Sequence, residues 1–266
     1  MKFSIITPNF NGDRYLEQTI VSVLEQRTCV DLEYILVDGG SSDGSRDIIE
    51  QYRDEFAHCI IETDKGPANA VNKGLDRATG DIVAWLNSDD IYFPDTLARV
   101  RDAFALTPNA SMCFGGCLIV DKDGEVIRDL ITRFKELFFP VSSRFTYQCI
   151  NYISQPALFF RNAAVQRAGR LREDMVAAWD YEFILRLWRE GTARRVAGPP
   201  LSAFRWYDQS ISGGNYRTQF EEEYQAARAD AGPLSLQTGI HFLVRWGIVA
   251  IYSAMAALRA RGTEAT

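Results

Sequence analysis

The stretch from Asp81 to Asp90, DIVAWLNSDD, constrains this chain more than any other. Its apolar run predicts a buried strand, and two adjacent carboxylates, Asp89 and Asp90, follow at the carboxyl end. Neighbouring like charges repel, so a fold keeps such a pair only with a counter-charge, water or a metal ion. Oxygen ligands suit a hard divalent cation, and ligands of open α/β sheets bind outside the strand carboxyl ends. We therefore predict that this doublet is the metal and diphosphate end of a nucleotide-sugar site.

Strand and helix patterns alternate along the first part of the chain. Short apolar runs predict buried strands at 3–7, 34–37, 59–61 and 82–86, and apolar residues at helical spacing separate them. This alternation indicates an α/β protein with a mostly parallel sheet covered by helices on both faces. Further strands are predicted at 111–120 and 125–130, joined by a hairpin turn, and at 156–160 and 201–206.

Composition excludes some classes of function. The net charge of −6 argues against a nucleic-acid binder, which usually carries a basic stripe. The five cysteines are scattered, so zinc is not expected and reduced thiols in a cytoplasm-like compartment are the simple interpretation. The first residues lack a long apolar signal region.

The end of the chain has a different character. A charged helix is predicted at 220–229, and residues 240–258 are strongly apolar but include Arg245. This length is borderline for a membrane span. Trp246 and the nearby arginines suit a helix that lies in a membrane interface, and packing on the protein or on a second copy suits it equally.

Several motifs occur in a fixed order along the chain. They are ITPNFN at 6–11, VDGGSSDGS at 37–45, NKG at 72–74, ATGD at 78–81 and LNSDD at 86–90. The ordered set resembles the family 2 glycosyltransferases. The resemblance implies a GT-A fold over 1–215, with a nucleotide-sugar-binding half at 1–95 and an acceptor-binding half at 96–215. A helical C-terminal extension at 216–266 follows, which would associate with membrane or dimerise.

The resemblance also implies roles for individual residues. The donor would contact Pro8, Asn9, Asn11, Asp38, Asp64, Lys73 and Asp89. Asp90, with Asp89 nearby, would ligate Mn²⁺ or Mg²⁺, which assists departure of the diphosphate. Each has a plainer alternative, since aspartates cap helices and turns and a lysine is usually a solvated surface charge.

Inverting transfer needs a base on the face opposite the leaving group. The segment WDYEF at 179–183 resembles the acidic motif of the family, which assigns the base to Asp180 with Glu182 as the alternative. A helix N-cap role for Asp180 is also open, and the helix terminus would then lower the pKa of its carboxyl.

One segment departs from the family pattern. Where the family often carries a histidine near Tyr207, this chain has none, so Arg205 or Tyr207 is expected to replace it. Trp179 and Trp206 are candidates for stacking on sugar faces, with core packing as the alternative.

The function expected from the sequence is metal-dependent, inverting transfer of a hexosyl or N-acetylhexosaminyl group from a nucleotide-diphosphate sugar to an acceptor hydroxyl. The acceptor would be a carbohydrate or lipid-linked precursor of surface polysaccharide or glycolipid, at the cytoplasmic side of a membrane. Two alternatives stay open: a nucleotidyltransferase that makes a nucleotide sugar, and a non-catalytic membrane-associated scaffold. The sequence names neither the nucleotide, the sugar, the acceptor, the linkage nor the oligomeric state.

Overall fold

A seven-stranded sheet forms the centre of the computed structural model, which describes residues 1–207 and 216–247. The strands are β1 (Lys2–Asn9), β2 (Asp31–Asp38), β3 (His58–Ile61), β4 (Ile82–Trp85), β5 (Ile91–Tyr92), β6 (Ala110–Phe114), β7 (Cys117–Val120), β8 (Val126–Ile127), β9 (Leu158–Arg161), β10 (Thr192–Arg195) and β11 (Ser202–Arg205). The central sheet has the order β10-β6-β9-β4-β1-β2-β3.

Helices cover both faces of this sheet. They are α1 (Asp13–Leu24), α2 (Ser45–Gln51), α3 (Pro67–Leu75), α4 (Thr96–Leu106), α5 (Asp129–Glu136), α6 (Arg144–Cys149), α7 (Asn162–Ala168), α8 (Trp179–Glu190) and α9 (Tyr216–Ala231). Short 3-10 helices lie at Glu25–Thr28, Arg53–Glu55, Phe139–Val141 and Gln155–Ala157. Residues 236–247 are also helical.

The prediction of a mostly parallel sheet is confirmed. β1 pairs in parallel with β2 and β4, and β2 pairs in parallel with β3. β9 is antiparallel to both β4 and β6, while β10 is parallel to β6. The carboxyl ends of the parallel strands therefore meet at one edge, where the register places Asn9 beside Asp38.

Alternating side chains of the strands pack into two separate cores. Ile5 of β1 packs with residues of α1 and α4 on one face. Ile6 packs on the other face with residues of α3, α7 and α8. Because both faces of the strands are buried, the strand sequences are continuously apolar.

A second, four-stranded sheet has the order β5-β11-β7-β8. The single strand predicted at 111–120 is wrong: Gly115 and Gly116 divide it into β6 in the central sheet and β7 in the small sheet. A Cβ on Gly115 would lie 2.5 Å from the Leu201 side chain, so glycine permits this close approach. The β7–β8 hairpin is confirmed, but β8 is short and α5 begins at Asp129, inside the strand predicted at 125–130.

The C-terminal part packs on the domain. α9 contacts α8 and α6, and His241 Nδ1 lies 2.9 Å from the carbonyl oxygen of Gln148 in α6. No helix within 1–207 and 216–247 combines the length and apolarity that a bilayer crossing requires. Much of the apolar stretch predicted at 240–258 lies outside the described residues.

Candidate active site

Asp38 ends β2 and is fully buried. Its Oδ1 accepts hydrogen bonds from the backbone N–H groups of Gly40 and Ser41, at 3.0 and 2.9 Å. Its Oδ2 accepts from Asn9 Nδ2 at 2.8 Å and from Ser41 Oγ at 2.6 Å. The carboxylate thus organises the loop after β2, as the turn alternative required. Its contact with a nucleotide base stays a prediction.

Pro8 and Asn9 stand at the carboxyl end of β1. Asn9 Oδ1 is buried and has no hydrogen-bond partner among the described residues. A Cβ on Gly12 would clash with this oxygen and would lie 2.8 Å from Ser88 Oγ, so glycine permits the close approach of these side chains to the loop after β1. Asn11 has a positive φ of 51°, and its Oδ1 accepts from the N–H of Ser42 at 2.9 Å. An unpaired acceptor here suits a ligand that donates hydrogen bonds.

Asp64 lies next to the Asp38 loop, whereas Lys73 points elsewhere. A Cβ on Gly39 would lie 2.4 Å from Asp64 Oδ2, which places the Asp64 carboxylate beside the residue that follows Asp38. Lys73 Nζ contacts Glu62 at 2.9 Å and donates to the carbonyl oxygen of Thr63 at 3.1 Å. Its ammonium is therefore engaged at the end of β3, and its contact with the donor stays a prediction.

The other residues of the NKG motif have packing roles. Asn72 is buried and joins α3 to the 171–173 segment, because its Nδ2 donates to the carbonyl oxygen of Leu171 at 3.0 Å. Its Oδ1 accepts from the Leu171 N–H at 2.9 Å. A Cβ on Gly74 would meet the Ile6 side chain at 2.5 Å, so this glycine lets α3 approach β1.

Asp89 and Asp90 follow β4, as predicted, but they are not equivalent. Asp90 is only 1% exposed, and its Oδ1 accepts from the backbone N–H of Arg205 at 2.9 Å while its Oδ2 accepts from Asn87 Nδ2 at 3.3 Å. Asp89 is partly exposed, and its Oδ2 accepts from the Tyr207 hydroxyl at 3.2 Å. The exposure of the two carboxylates favours Asp89 as the ligand that a bound cation would meet first.

The electrostatics of the doublet show that two negative charges are unfavourable here. Burial raises the pKa of Asp89. Burial, and then the charge of Asp89, raise the pKa of Asp90 well above its ordinary value. Contacts with Arg205 oppose these shifts in both carboxyls. A divalent cation would relieve the remaining repulsion.

The donor set fits Mg²⁺ or Mn²⁺ that is shared with a ligand. Within the part of the chain that the structure describes, no group of three or more His, Cys, Asp or Glu residues could hold a metal. The protein would therefore supply the oxygen atoms of Asp89 and Asp90, and diphosphate and water would supply the rest. Mg²⁺ is commonly bound in this way, through one or two carboxylates plus substrate phosphates.

Arg205 and Tyr207 hold the doublet from the small sheet. The Arg205 guanidinium donates to the carbonyl oxygens of Asp89 and Asp121 at 3.0 and 3.1 Å, and to Gln18 Oε1 at 3.1 Å. It also lies over the Tyr15 ring, with Cζ 4.2 Å from the centroid. The buried Arg205 side chain thus links the loop after β4 to α1 and to the β7–β8 turn through hydrogen bonds. The Tyr207 hydroxyl meets the doublet directly, so Tyr207 is the better candidate to replace the absent histidine.

Asp180 lies in the first turn of α8 and is not its N-cap. The helix begins at Trp179 with Ala178 as N-cap, so the capping alternative and its lowered pKa are wrong. Burial, followed by the charge of Glu223, raises the pKa of Asp180 to about 6 despite the N–H of Tyr181 and the charge of Lys135. A carboxyl with this pKa can accept a proton near neutral pH, which suits a general base.

The first turn of α8 adjoins the carboxyl end of β4. The rings of Trp179 and Trp85 lie 5.7 Å apart, and Trp85 ends β4 just before the doublet. The Trp85 carbonyl oxygen also accepts from Gln155 Nε2 at 2.7 Å. Asp180 and the doublet therefore flank the same edge of the sheet. Trp179 is buried in the core, as the packing alternative predicted, so its face is not a sugar platform.

Glu182 and Trp206 have other surroundings. Glu182 forms an ion pair with Arg186 at 2.8 Å and lines a cavity of about 340 Å³ between α8 and α9. Because Asp180 is half-buried and makes no ion pair with an arginine among the described residues, whereas Glu182 is ion-paired, the geometry favours Asp180 as the base. Trp206 is half-buried, and the Arg128 guanidinium carbon lies 3.6 Å from its ring centroid.

The charged residues that surround Asp180 could not be identified from the sequence. Lys135 of α5 and the buried Glu223 of α9 both act on its carboxyl. Neither lies in a motif, and α9 reads only as a charged helix beyond the family-like part. A single sequence therefore carries no signal that would place them beside Asp180.

Comparisons with known proteins bear on this arrangement. The family model "Glycosyl transferase family 2" matches residues 4–168. A putative teichuronic acid biosynthesis glycosyltransferase, TuaG of Bacillus subtilis, is 31% identical over 219 residues, which cover 80% of this chain and 82% of the relative. A PGL/p-HBAD biosynthesis glycosyltransferase of Mycobacterium bovis is 42% identical over 67% of each chain. An uncharacterized glycosyltransferase of Nostoc is 41% identical over 107 residues, but the match spans only 33% of its length.

Solved structures share the fold at low sequence identity. TarS 1–349 of S. aureus, in complex with UDP-GlcNAc, has a TM-score of 0.67 and 19% identity over 87% of this chain and 66% of its own. The mannosyltransferase PcManGT of Pyrobaculum calidifontis, in complex with GDP-Man and Mn²⁺, has a TM-score of 0.63 and 19% identity over 98% of this chain and 79% of its own.

Together, the fold and these matches define a glycosyltransferase with the GT-A architecture. The chain belongs to glycosyl transferase family 2. The resemblance stated from the motifs is thereby confirmed, and so is the class of enzyme.

Proposed function

We propose that this enzyme transfers a hexosyl or N-acetylhexosaminyl group, with inversion and with a divalent metal, from a nucleotide-diphosphate sugar to an acceptor hydroxyl. The names of the relatives support an acceptor in surface polysaccharide or glycolipid biosynthesis, since one concerns teichuronic acid and another PGL. The bound UDP-GlcNAc and GDP-Man of the two neighbours support a nucleotide-sugar donor.

One observation carries the proposal: an acidic doublet and a carboxyl with a pKa of about 6 flank the same edge of the sheet. The doublet has the oxygen donors and the unrelieved charge that a cation would neutralise. Asp180 can take up a proton in the range where an enzyme works. The doublet and Asp180 do not serve to stabilise the fold, because burying a carboxyl raises the free energy of its charged form.

Pro8, Asn9, Asn11, Asp38 and Asp64 would line the nucleotide side of the donor at the ends of β1, β2 and β3. Asp89, with Asp90 behind it, would hold Mn²⁺ or Mg²⁺. The exposure of the two carboxylates supports Asp89 as the principal ligand, which reverses the order implied by the resemblance. When bound, such a cation neutralises the charge that develops on the departing diphosphate.

In the proposed reaction, the acceptor oxygen attacks the anomeric carbon from the face opposite the diphosphate. A bond forms between these two atoms while the bond from the anomeric carbon to the phosphate oxygen breaks, and the nucleoside diphosphate leaves with the electron pair. Asp180 accepts the proton of the acceptor hydroxyl. The roles parallel those of an inverting glycosidase, with the acceptor in place of water.

The surroundings of the acceptor are also a proposal. We place the enzyme at the cytoplasmic side of a membrane, in peripheral contact with a surface that carries lipid-linked acceptors. The helical residues 236–247 support this, since Leu243 is 70% and Trp246 is 55% exposed. Sedimentation of the full chain and of residues 1–233 with vesicles tests it, and equal sedimentation would remove the membrane role of the extension.

The metal and donor sites are tested by thermal unfolding with UDP-GlcNAc or GDP-mannose, with and without Mn²⁺. A ligand at a hundred times its dissociation constant stabilises the native state by about 2.7 kcal/mol. We expect Asp89→Ala to abolish the Mn²⁺-dependent part of this stabilisation and the transfer reaction. The exposed Asp102, which pairs with Arg101, provides the control Asp102→Asn. An Asp89→Ala protein that keeps the full Mn²⁺ effect would contradict the proposed site.

Product analysis separates sugar transfer from the two alternatives. Transfer releases a nucleoside diphosphate, whereas a nucleotidyltransferase would release pyrophosphate from a nucleoside triphosphate and a sugar phosphate. A scaffold would do neither. The family assignment favours sugar transfer.

A further inference from the structure

α9 reaches the segment that leads into α8 through the side chain of Glu222. One of its carboxylate oxygens accepts from the backbone N–H of Val176 at 2.8 Å. The other accepts from the N–H groups of Ala177 and Ala178 at 2.8 and 2.9 Å. Ala178 is the N-cap of α8, and Val176 and Ala177 directly precede it. A glutamate from another helix therefore fixes the backbone that leads into the turn carrying Asp180, and its charge has the sign that a helix N-terminus favours.

The next residue, Glu223, enters the same region from α9. It is only 4% exposed, and its Oε1 accepts from Asn151 Nδ2 and from Gln219 Nε2, both at 3.0 Å. The Tyr147 hydroxyl donates to Asn151 Oδ1 at 3.3 Å, which continues the network into α6. Neutral amides thus hold this buried carboxylate in one position, and no arginine or lysine of the described residues forms an ion pair with it.

Lys135 of α5 is the cation of this group. Its Nζ donates to Ser154 Oγ at 3.2 Å, and its charge acts on both Glu223 and Asp180. The enclosed cluster therefore contains two carboxyls and one ammonium. Burial of charges without full pairing is costly, so a cluster of this kind often marks a site where protonation matters.

We propose that α9 supplies two positioning residues to the reaction centre: Glu222 fixes the turn that presents Asp180, and Glu223, opposed by Lys135, sets how readily Asp180 accepts a proton. The inference rests on the proposed role of Asp180 as the base. It makes α9 part of the reaction centre, although this helix lies beyond the residues that the family model matches.

The two neighbouring charges act on Asp180 in opposite directions. Glu223 raises the pKa of Asp180 and Lys135 lowers it. Besides the contacts of Asn151, Gln219 and Ser154, the Tyr181 N–H on α8 and the Tyr147 hydroxyl on α6 face this cluster. Removing the charge of Glu223 should therefore move the titration of Asp180 to lower pH, and removing that of Lys135 should move it to higher pH.

The titration is measured directly by NMR of carboxyl carbons in ¹³C-labelled protein, with Asp180→Asn to assign the signal. The variants are Glu223→Gln and Lys135→Met, and the control is Glu221→Gln. Glu221 lies two residues before Glu223 in α9 but forms an ion pair with Arg245 at the surface. We expect opposite shifts in the two variants and none in the control. A general loosening of the fold would not produce opposite signs.

The role of Glu222 is measured by kinetics. Release of nucleoside diphosphate from UDP-GlcNAc or GDP-mannose with Mn²⁺, with water as acceptor, gives kcat and KM. We expect Glu222→Gln to lower kcat roughly tenfold with KM unchanged, because the displaced turn misplaces Asp180 without touching the donor side. The NMR titration of Asp180 should stay near its wild-type position in this variant.

Two outcomes overturn the inference: an unshifted Asp180 titration in both Glu223→Gln and Lys135→Met, or wild-type kcat in Glu222→Gln. Circular dichroism establishes that each variant is folded, and if one of the titration variants does not fold, the other decides the sign. Failure of the proposed function has a different signature, because Asp180→Asn would then keep wild-type turnover while the carboxyl titrations could still be coupled.

Discussion

Replacement of Asp180 by asparagine should stabilise the protein at neutral pH while it removes activity. The carboxyl titrates with a pKa of about 6 in the folded protein and near its ordinary value of 3.8 in the unfolded chain. Between these values the folded state binds the proton and the unfolded state does not. The free energy of unfolding therefore falls as the pH rises through this window. Asparagine resembles the neutral acid and carries no such loss.

The magnitude follows from the shift itself. A rise from 3.8 to about 6 corresponds to about 3 kcal/mol for a fully enclosed group. Because part of the Asp180 side chain reaches solvent, we expect about 2 kcal/mol. Wild type and Asp180→Asn should thus have similar stability near pH 4, and the variant should be more stable by about 2 kcal/mol at pH 7 and above.

Urea unfolding followed by circular dichroism at a series of pH values measures this difference. Asp102→Asn, at an exposed position, serves as the control and should show no comparable trend. A constant difference between wild type and Asp180→Asn across the whole series would refute the reasoning, since it would mean that Asp180 titrates alike in the folded and unfolded states. No substrate is required, so the result does not depend on knowing the donor or acceptor.

Further predictions concern rate, acid stability and packing. Turnover should rise about tenfold per pH unit up to about pH 6 and then level, because only ionised Asp180 accepts a proton; a flat pH profile below this point would contradict its role. Burial alone would raise the pKa of Glu33, but hydrogen bonds from Lys2, Ser4 and Thr79 outweigh it and lower the pKa to about 2. Ionised Glu33 therefore adds stability that is complete above about pH 4.5 and is lost as the pH falls toward 2. Urea unfolding at a series of acidic pH values should show wild type to be more stable than Glu33→Gln by about 3 kcal/mol above about pH 4.5, and this difference should vanish near pH 2. Gly80→Ala should cost about 1–3 kcal/mol in thermal unfolding, because its Cβ would lie 2.7 Å from the backbone nitrogen of Ser4 in β1; unchanged stability would mean that the strand moves freely.

The sequence predicts the central sheet because its signals are local. The strands near 3–7, 34–37, 59–61 and 82–86 are short and continuously apolar, as strands buried on both faces must be, and the structure places all four in one parallel array. The position of the Asp89–Asp90 doublet is predictable for the same reason. A carboxylate that directly follows a buried strand lies at the edge of the sheet, and this does not depend on how the rest of the chain folds.

The errors arise where distant contacts decide the local structure. Gly115 and Gly116 end a strand because Leu201 packs against Gly115, and the chain then enters a second sheet. The strand predicted at 125–130 is cut short because α5 begins at Asp129. The raised pKa of Asp180 cannot be predicted from the 179–183 segment, because the side chains of α5 and α9 that act on its carboxyl lie far away in the sequence.

The origin of those side chains has a consequence for recombining this enzyme with its relatives. The groups that act on the pKa of Asp180 belong to α5, α8 and α9, which all lie beyond residue 128. The loops proposed to bind the nucleotide lie within the first 90 residues. A chimera that exchanged only residues 4–168, the stretch covered by the family match, would replace α5 but leave α8 and α9 in place, and would therefore separate Asp180 from the native Lys135. A chimera with its crossover directly after Asp90 would keep Asp180 together with α5, α8 and α9. We therefore expect such a chimera to take its donor preference from one parent and the pKa of its proposed base from the other.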